Sequence, residues 1–376
     1  MKKKRLCSTV AVLSALVIAG CGNSAEQTNN NGADNVSSQE TTESMVETEM
    51  LEETESGKMQ ETQKDKIEEA IRQETSSVEL ETGNAESGEA LEKEPTAEIS
   101  EVIPVKYITQ RFDECGTIEQ ISYTTYDYFG DGSEITKNAN VYLPYGYDKE
   151  KKYNVLYLMH GIGGDENEWG MTGITSKVKI MMDNLIYNGD IEPFIVVTPN
   201  GRSGADFANT NSDYNSFYEF GKELRNDLIP YIESNYATYG QYDENGYDLS
   251  ETREHRAMAG LSMGGMQTIN IGMCECLDII SYFGAFSAAP TSYEGAKIVE
   301  TIDEKFSDET INYFYNICGT GDSIAYQSAS NAAKSLPQLS ERFVDGENYM
   351  WQELGGGHDF NIWYLGFYNF AQLVFD

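Results

Sequence analysis

Five short apolar runs recur along the C-terminal part of the chain, and each ends in a loop that contains glycine. They are NVLYLMHG (154–161), PFIVVTPNG (193–201), HRAMAGLS (255–262), NYFYNICGTGD (312–322) and NYMWQELGGGH (348–358). Near-continuous apolar runs of this length are what strands covered on both faces require. Between and after them, apolar residues repeat at helical spacing over 174–188, 216–235, 264–275, 325–336 and 361–374. Alternating strand and helix signals predict an α/β fold, with a mainly parallel central sheet and helices on both faces. Two earlier segments, EQISYTTYDY (119–128) and KNANVYLPYGY (137–147), instead alternate polar and apolar residues. That period predicts an antiparallel N-terminal hairpin at the sheet edge. The polar, Gly/Asn/Asp-rich stretches NGRSGADFANTNSDYN (200–215) and GQYDENGYDLSETRE (240–254) predict loops.

The N-terminal part has a different pattern. Lys2, Lys3, Lys4 and Arg5 precede the apolar run LCSTVAVLSALVIAG and then Cys21. The run is short for a bilayer span, and its basic flank is that of an export signal. The segment VIAGC resembles a bacterial lipobox, which predicts a signal peptide over 1–20, lipidation at Cys21 and an exported, membrane-anchored protein. From 22 to 104 the chain has no Trp, Tyr or Phe and a net charge of −17. Such a segment buries too little apolar surface to offset its chain entropy, which predicts a disordered acidic tether over 21–104. The expected folded domain, 105–376, holds the aromatic residues and still carries −23 of the chain's −36. That balance argues against nucleic acid as a partner and against an anionic membrane surface; any membrane attachment would come through Cys21. Cys115, Cys274, Cys276 and Cys318 show no zinc-type spacing with histidine, and free, mostly buried thiols are expected.

In open α/β sheets ligands bind beyond the carboxyl ends of the strands. His160, Asn200, Ser262, Asp322 and His358 all fall there. Gly260-Leu261-Ser262-Met263-Gly264 has the form G-x-S-x-G between a predicted strand and a predicted helix. That sharp turn projects a serine hydroxyl as a nucleophile. GRSGA (201–205) is superficially similar but lacks the final glycine and a following helix. A serine needs a base, and the chain has only three histidines. His255 starts the strand that leads to Ser262 and so lies at its other end. His160 suits a conformational role in its loop. His358, in GGGHDF, follows a strand and comes after the serine. Asp322, directly after an apolar strand, is the acid that would orient it, and Asp345 and Glu347 are alternatives. The order Ser, Asp, His is that of α/β-hydrolases. Oxyanion donors would be the N–H of Met263 and one from HGIGGDENEW, with Ile162 preferred over Gly161 or Gly163.

LYLMHGIGGDENEW, IVVTPNG, LIPYIESNY, EHRAMAGLSMGGMQTINIG, ICGTGDS and GGGHDFNIW together resemble the feruloyl esterase group of carbohydrate esterase family 1, which is esterase D-like. The resemblance covers 105–376 in collinear order. It implies an α/β-hydrolase fold, no metal or other cofactor, and release of hydroxycinnamic acids from plant cell-wall arabinoxylan through an acyl-enzyme. It also implies Ser262, Asp322 and His358 as nucleophile, acid and base. The family also includes acetylxylan esterases, acyltransferases and thioester hydrolases. A capture protein that binds oligosaccharide without turnover is the alternative from another class. An aromatic acyl group wants an apolar slot, for which Trp169, Phe207, Tyr214 and Trp363, with Asn200 as a polar neighbour, are the expected lining.

Overall fold

The computed structural model describes residues 99–211, 214–240 and 247–375. The export segment, Cys21, nearly all of the acidic tether and part of the 240–254 loop lie outside the described residues.

Eight strands form one mixed sheet in the order β1-β2-β4-β3-β5-β6-β7-β8. The hairpin of β1 (Thr117–Tyr126) and β2 (Glu134–Leu143) is antiparallel, with Thr117 opposite Leu143 and Tyr126 opposite Glu134. β2 also runs antiparallel to β4 (Ile195–Pro199). All other pairings are parallel: β3 (Val155–Met159) lies between β4 and β5 (Arg256–Leu261), followed by β6 (Tyr282–Phe286), β7 (Tyr313–Gly319) and β8 (Tyr349–Leu354). This is an α/β-hydrolase sheet, and the expected edge hairpin is where the alternation placed it.

Successive residues of a central strand feed opposite layers of the core. On β3, Val155, Tyr157 and Met159 pack into one layer, and Leu156 and Leu158 into the other. The first layer is covered by a helical stretch over 214–235 and by the π-helical turn Thr268–Met273. That stretch contains α3 (Phe220–Glu223), a π-helical turn (Leu224–Leu228) and α4 (Ile229–Asn235). α6 (Gly295–Lys305) and α7 (Tyr326–Leu339) complete the same layer. α2 (Lys177–Asn188) and α8 (Phe360–Phe370) cover the second. α5 (Met263–Gln267) is the short helix that follows Ser262, and α1 (Val105–Ile108) is a single turn.

Three elements depart from the pattern reading. YFGAF, now β6, carries a glycine at its centre and is short, so no apolar run announces it; Phe370 crowds Gly284 and leaves no space for a Cβ. The second half of the expected 240–254 loop is 3-10 helix, Leu249–His255, started by Asp248 accepting from the Ser250 N–H at 2.9 Å. The boundary expected at 105 also moves. Ile99 and Ile103 pack on the second layer, and the Ser100 carbonyl accepts from Asn369 Nδ2 and Gln352 Nε2, both at 2.9 Å. Residues 99–104 therefore belong to the folded body: two isoleucines inside an otherwise acidic stretch are anchored by α8 and β8.

Candidate active site

Ser262 sits between β5 and α5 with φ +51° and ψ −113°. A non-glycine residue held there costs about 1–3 kcal/mol, so its surroundings must hold it. The Ser262 N–H donates to the Phe286 carbonyl at 3.0 Å, and its carbonyl accepts from Met266 N–H at 3.0 Å and Ala289 N–H at 2.9 Å. The flanking glycines are required by close approach. A Cβ on Gly260 would lie 2.6 Å from the Gly264 carbonyl carbon, and one on Gly264 would lie 2.6 Å from the Met159 oxygen.

The Ser262 hydroxyl is 3.0 Å from His358 Nε2, and His358 Nδ1 is 2.7 Å from Asp322 Oδ2. Both loops that carry these partners hang from strand ends and are tied together, since Gly321 N–H donates to the Gly356 carbonyl at 2.8 Å. Asp322 is buried, and its Oδ1 accepts from the N–H groups of Ile324 (2.9 Å) and Ala325 (2.8 Å). The Cys318 thiol, free like Cys115, Cys274 and Cys276, donates to Oδ2 at 3.6 Å. Burial works to raise the Asp322 carboxyl. The Ala325 N–H, His358 and the Ile324 N–H outweigh it, so the group stays below the ordinary carboxylate range. Asp345 and Glu347 stand near the other end of β8, where Asp345 bridges Tyr349.

The loop after β3 lies against the serine: a Cβ on Gly161 would be 3.4 Å from Ser262 Cβ. Gly161 N–H already donates to Glu168 Oε2 at 2.5 Å, and Gly164 N–H to the Gly161 carbonyl at 3.2 Å. Of the three candidate donors Gly161, Ile162 and Gly163, Ile162 and Gly163 are left. Gly201 N–H donates to His160 Nε2 at 2.8 Å, so the His160 proton is on Nδ1 and is donated to the Gly161 carbonyl at 2.7 Å. With that carbonyl held, the trans peptide points the Ile162 N–H the opposite way. Full burial lowers His160 to about 4, so it is neutral and acts as a fixed strut. Met263 opens α5, so its N–H has no partner within the helix.

The other expectations divide. His255 is at the far end of β5, stacked on Tyr239 with ring centroids 3.6 Å apart. Ser203 of GRSGA donates to Glu223. Three of the expected substrate contacts are buried. Trp169 is fully buried, with Nε1 donating to the Met159 carbonyl at 3.0 Å and its ring among Phe286, Phe360, Tyr364 and Phe367. Asn200 is buried and spends its amide on Phe207 O and Glu166 Oε2. Trp363 is buried edge-on to the His358 ring, 5.1 Å between centroids, where it steadies the imidazole. Phe207 is half-buried and Tyr214 is exposed. Arg202, which donates to the carbonyls of Ile162 and Gly164, was not anticipated. Its only signal was an arginine set among small residues directly after an apolar strand.

Fold and site together define an α/β-hydrolase of the serine-type carboxylic-ester hydrolase class. The chain belongs to the Esterase family, whose model matches residues 134–369. It is 34% identical over 254 residues to endo-1,4-beta-xylanase Y of Acetivibrio thermocellus, covering 65% of this chain and 22% of that protein. It is 31% identical over 265 residues to an endo-1,4-beta-xylanase/feruloyl esterase of Xylanibacter ruminicola, covering 69% and 31%. The match thus spans a third or less of these relatives' length. Among solved structures, the feruloyl esterase module of Clostridium thermocellum complexed with sinapinate superposes with a TM-score of 0.61 at 29% identity, covering 75% of this chain and 95% of that one. A ferulic acid esterase of the anaerobic fungus Anaeromyces mucronatus in complex with ferulic acid gives 0.59 at 28%, covering 74% and 98%.

Proposed function

We propose that this protein is an exported esterase that cleaves hydroxycinnamoyl, chiefly feruloyl, esters of plant cell-wall arabinoxylan through an acyl-enzyme on Ser262. The observation that carries the reading is the hydrogen-bonded series Ser262–His358–Asp322, at 3.0 and 2.7 Å, on a strained strand-to-helix turn. The similarity to feruloyl esterases of xylanase systems supports the substrate class.

The chemistry follows from the positions. Ser262 Oγ attacks the ester carbonyl carbon while its proton passes to His358 Nε2. The resulting imidazolium donates from Nδ1 to Asp322, whose charge stabilises it. The carbonyl oxygen becomes an oxyanion that accepts from Ile162 N–H and Met263 N–H. Collapse breaks the bond to the sugar oxygen, which takes the proton from His358 Nε2 and leaves as an alcohol. Water then attacks the acyl-serine with His358 again taking a proton, which passes to Ser262 Oγ as the acyl–oxygen bond breaks and the hydroxycinnamic acid is released. His358 must be neutral for either attack. Lipidation at Cys21 and a tether over the acidic segment would hold the enzyme at the cell surface, a placement supported by the lipobox-like VIAGC.

Ser262→Ala should lower turnover of methyl ferulate by about three to six orders of magnitude and leave the fold intact. Retention of most activity in that variant would defeat the assignment. Parallel assays on acetylated xylan and short aryl esters, with and without a sugar acceptor, separate feruloyl hydrolysis from deacetylation and transfer. A fluorophosphonate that fails to label Ser262 would favour a capture protein.

A further inference from the structure

Arg202 follows β4 and touches neither Ser262 nor His358. Its side chain is buried, yet it is aimed at the loop beside the serine. Nη1 donates to the Gly164 carbonyl at 2.7 Å, and Nη2 donates to the Ile162 carbonyl. The guanidinium carbon lies 4.8 Å from the centroid of the Phe217 ring, which supports the cation from behind.

Its main chain is equally fixed. The Arg202 N–H donates to Asn200 Oδ1 at 3.1 Å, and its carbonyl accepts from Lys137 Nζ at 2.8 Å. Lys137 also holds the Asn200 carbonyl at 2.8 Å and pairs with Glu223 at 2.6 Å, both side chains being fully buried. The pair gains a donor from Tyr123, at 2.6 Å to Glu223 Oε1. A buried ion pair is a costly way to stabilise a fold, so what it anchors matters.

Ile162 is thereby gripped on both sides. The carbonyl before it, on Gly161, is held by His160 at 2.7 Å, and the carbonyl after it, on Ile162 itself, by Arg202. With both flanking peptide planes fixed, the direction of the Ile162 N–H is fixed as well. Yet Ile162 has a half-exposed side chain and sits in a glycine-rich loop, GIGG, that would otherwise be pliant.

We propose that Arg202 is a positioning residue for the oxyanion site. His160 holds the peptide plane that carries the Ile162 N–H, and the two-pronged grip of Arg202 on the Ile162 and Gly164 carbonyls locks the planes that follow, so that the loop keeps the Ile162 N–H aimed at the tetrahedral intermediate. The proposal rests on the reading of Ile162 as an oxyanion donor given above. Two nitrogens reach two carbonyls, a geometry that a lysine ammonium does not reproduce.

The test uses the full chain, with methyl ferulate as substrate, a trifluoromethyl ketone analogue of the ferulate ester as a tetrahedral mimic, and ferulic acid as a ground-state ligand. In Arg202→Met, kcat should fall about 10- to 100-fold with KM within about threefold, since the grip acts on the charged intermediate. The trifluoromethyl ketone should weaken by the same factor as kcat/KM, and ferulic acid should bind as before. Arg202→Lys, expected to fold whether or not the methionine variant does, should lose about tenfold with the same tracking. Wild-type turnover in either variant, or equal weakening of both inhibitors, would overturn the proposal. A wild-type chain that neither cleaves methyl ferulate nor takes a fluorophosphonate at Ser262 would instead overturn the underlying functional reading. Failure of the Arg202 proposal alone shows as an active wild type with unaffected Arg202 variants.

Discussion

At the scale of single residues, the site depends on groups whose partners leave them one role each. Asp322 uses Oδ1 on two backbone N–H groups and Oδ2 on His358, so its carboxylate fixes both the tautomer and the tilt of the imidazole. Asp322→Asn keeps the shape but offers an amide where His358 needs an acceptor, and kcat should fall by about 1,000-fold or more. A loss below tenfold in steady-state kinetics would show that Asp322 does not orient the base. His160 makes a second residue-scale prediction. Its folded value near 4 lies below the ordinary histidine value, because burial disfavours the charged ring. The neutral form is therefore favoured by folding. That contribution is complete above about pH 6.5 and is lost as pH falls towards 4, on the order of 3 kcal/mol in all. Denaturant titrations across that range should show the fall, and His160→Gln should flatten that part of the slope.

At the scale of elements, buried charge ties the edge hairpin to the site. Lys137 on β2 reaches across the sheet end to Glu223 on α3 and to the carbonyls of Asn200 and Arg202. Glu223→Gln leaves a buried cation without its counter-charge and should destabilise by about 3–5 kcal/mol; Lys137→Met with Glu223→Leu should recover much of that in thermal melts. Failure of the double variant to exceed the single one would show that Lys137 is needed for the loop rather than for its partner. None of this was legible in sequence, since Lys137 and Glu223 each look like ordinary surface charges on half-polar elements. The elements themselves were legible where periodicity is strong: β3, β4, β5, β7 and β8 follow directly from apolar runs ending in loops. β6 was hidden because a five-residue strand with a central glycine gives too weak a period. The nucleophile turn could be read because its glycines, strand and helix all fall within a dozen residues. The expected aromatic lining could not, because a tryptophan near the site in sequence can pack inward, as Trp169 and Trp363 do, as readily as outward.

At the scale of the whole molecule, the folded body begins earlier than charge alone implied. Acidity falls off only at 102, yet Ile99, Ser100 and Ile103 are already docked on β8 and α8. A chain beginning at 105 should therefore melt several degrees below one beginning at 97, because the packing of Ile99 and Ile103 and the hydrogen bonds to the Ser100 carbonyl are lost. Equal melting temperatures would return the boundary to 105. The central claim is that Ser262 carries the acyl group during turnover, and the most direct measurement is peptide-level mass spectrometry of enzyme acid-quenched while turning over an activated aryl ferulate. The account predicts a feruloyl adduct on the peptide containing Ser262 in the wild type and none in Ser262→Ala. An adduct on another residue, or undiminished turnover by Ser262→Ala without any adduct, would contradict it.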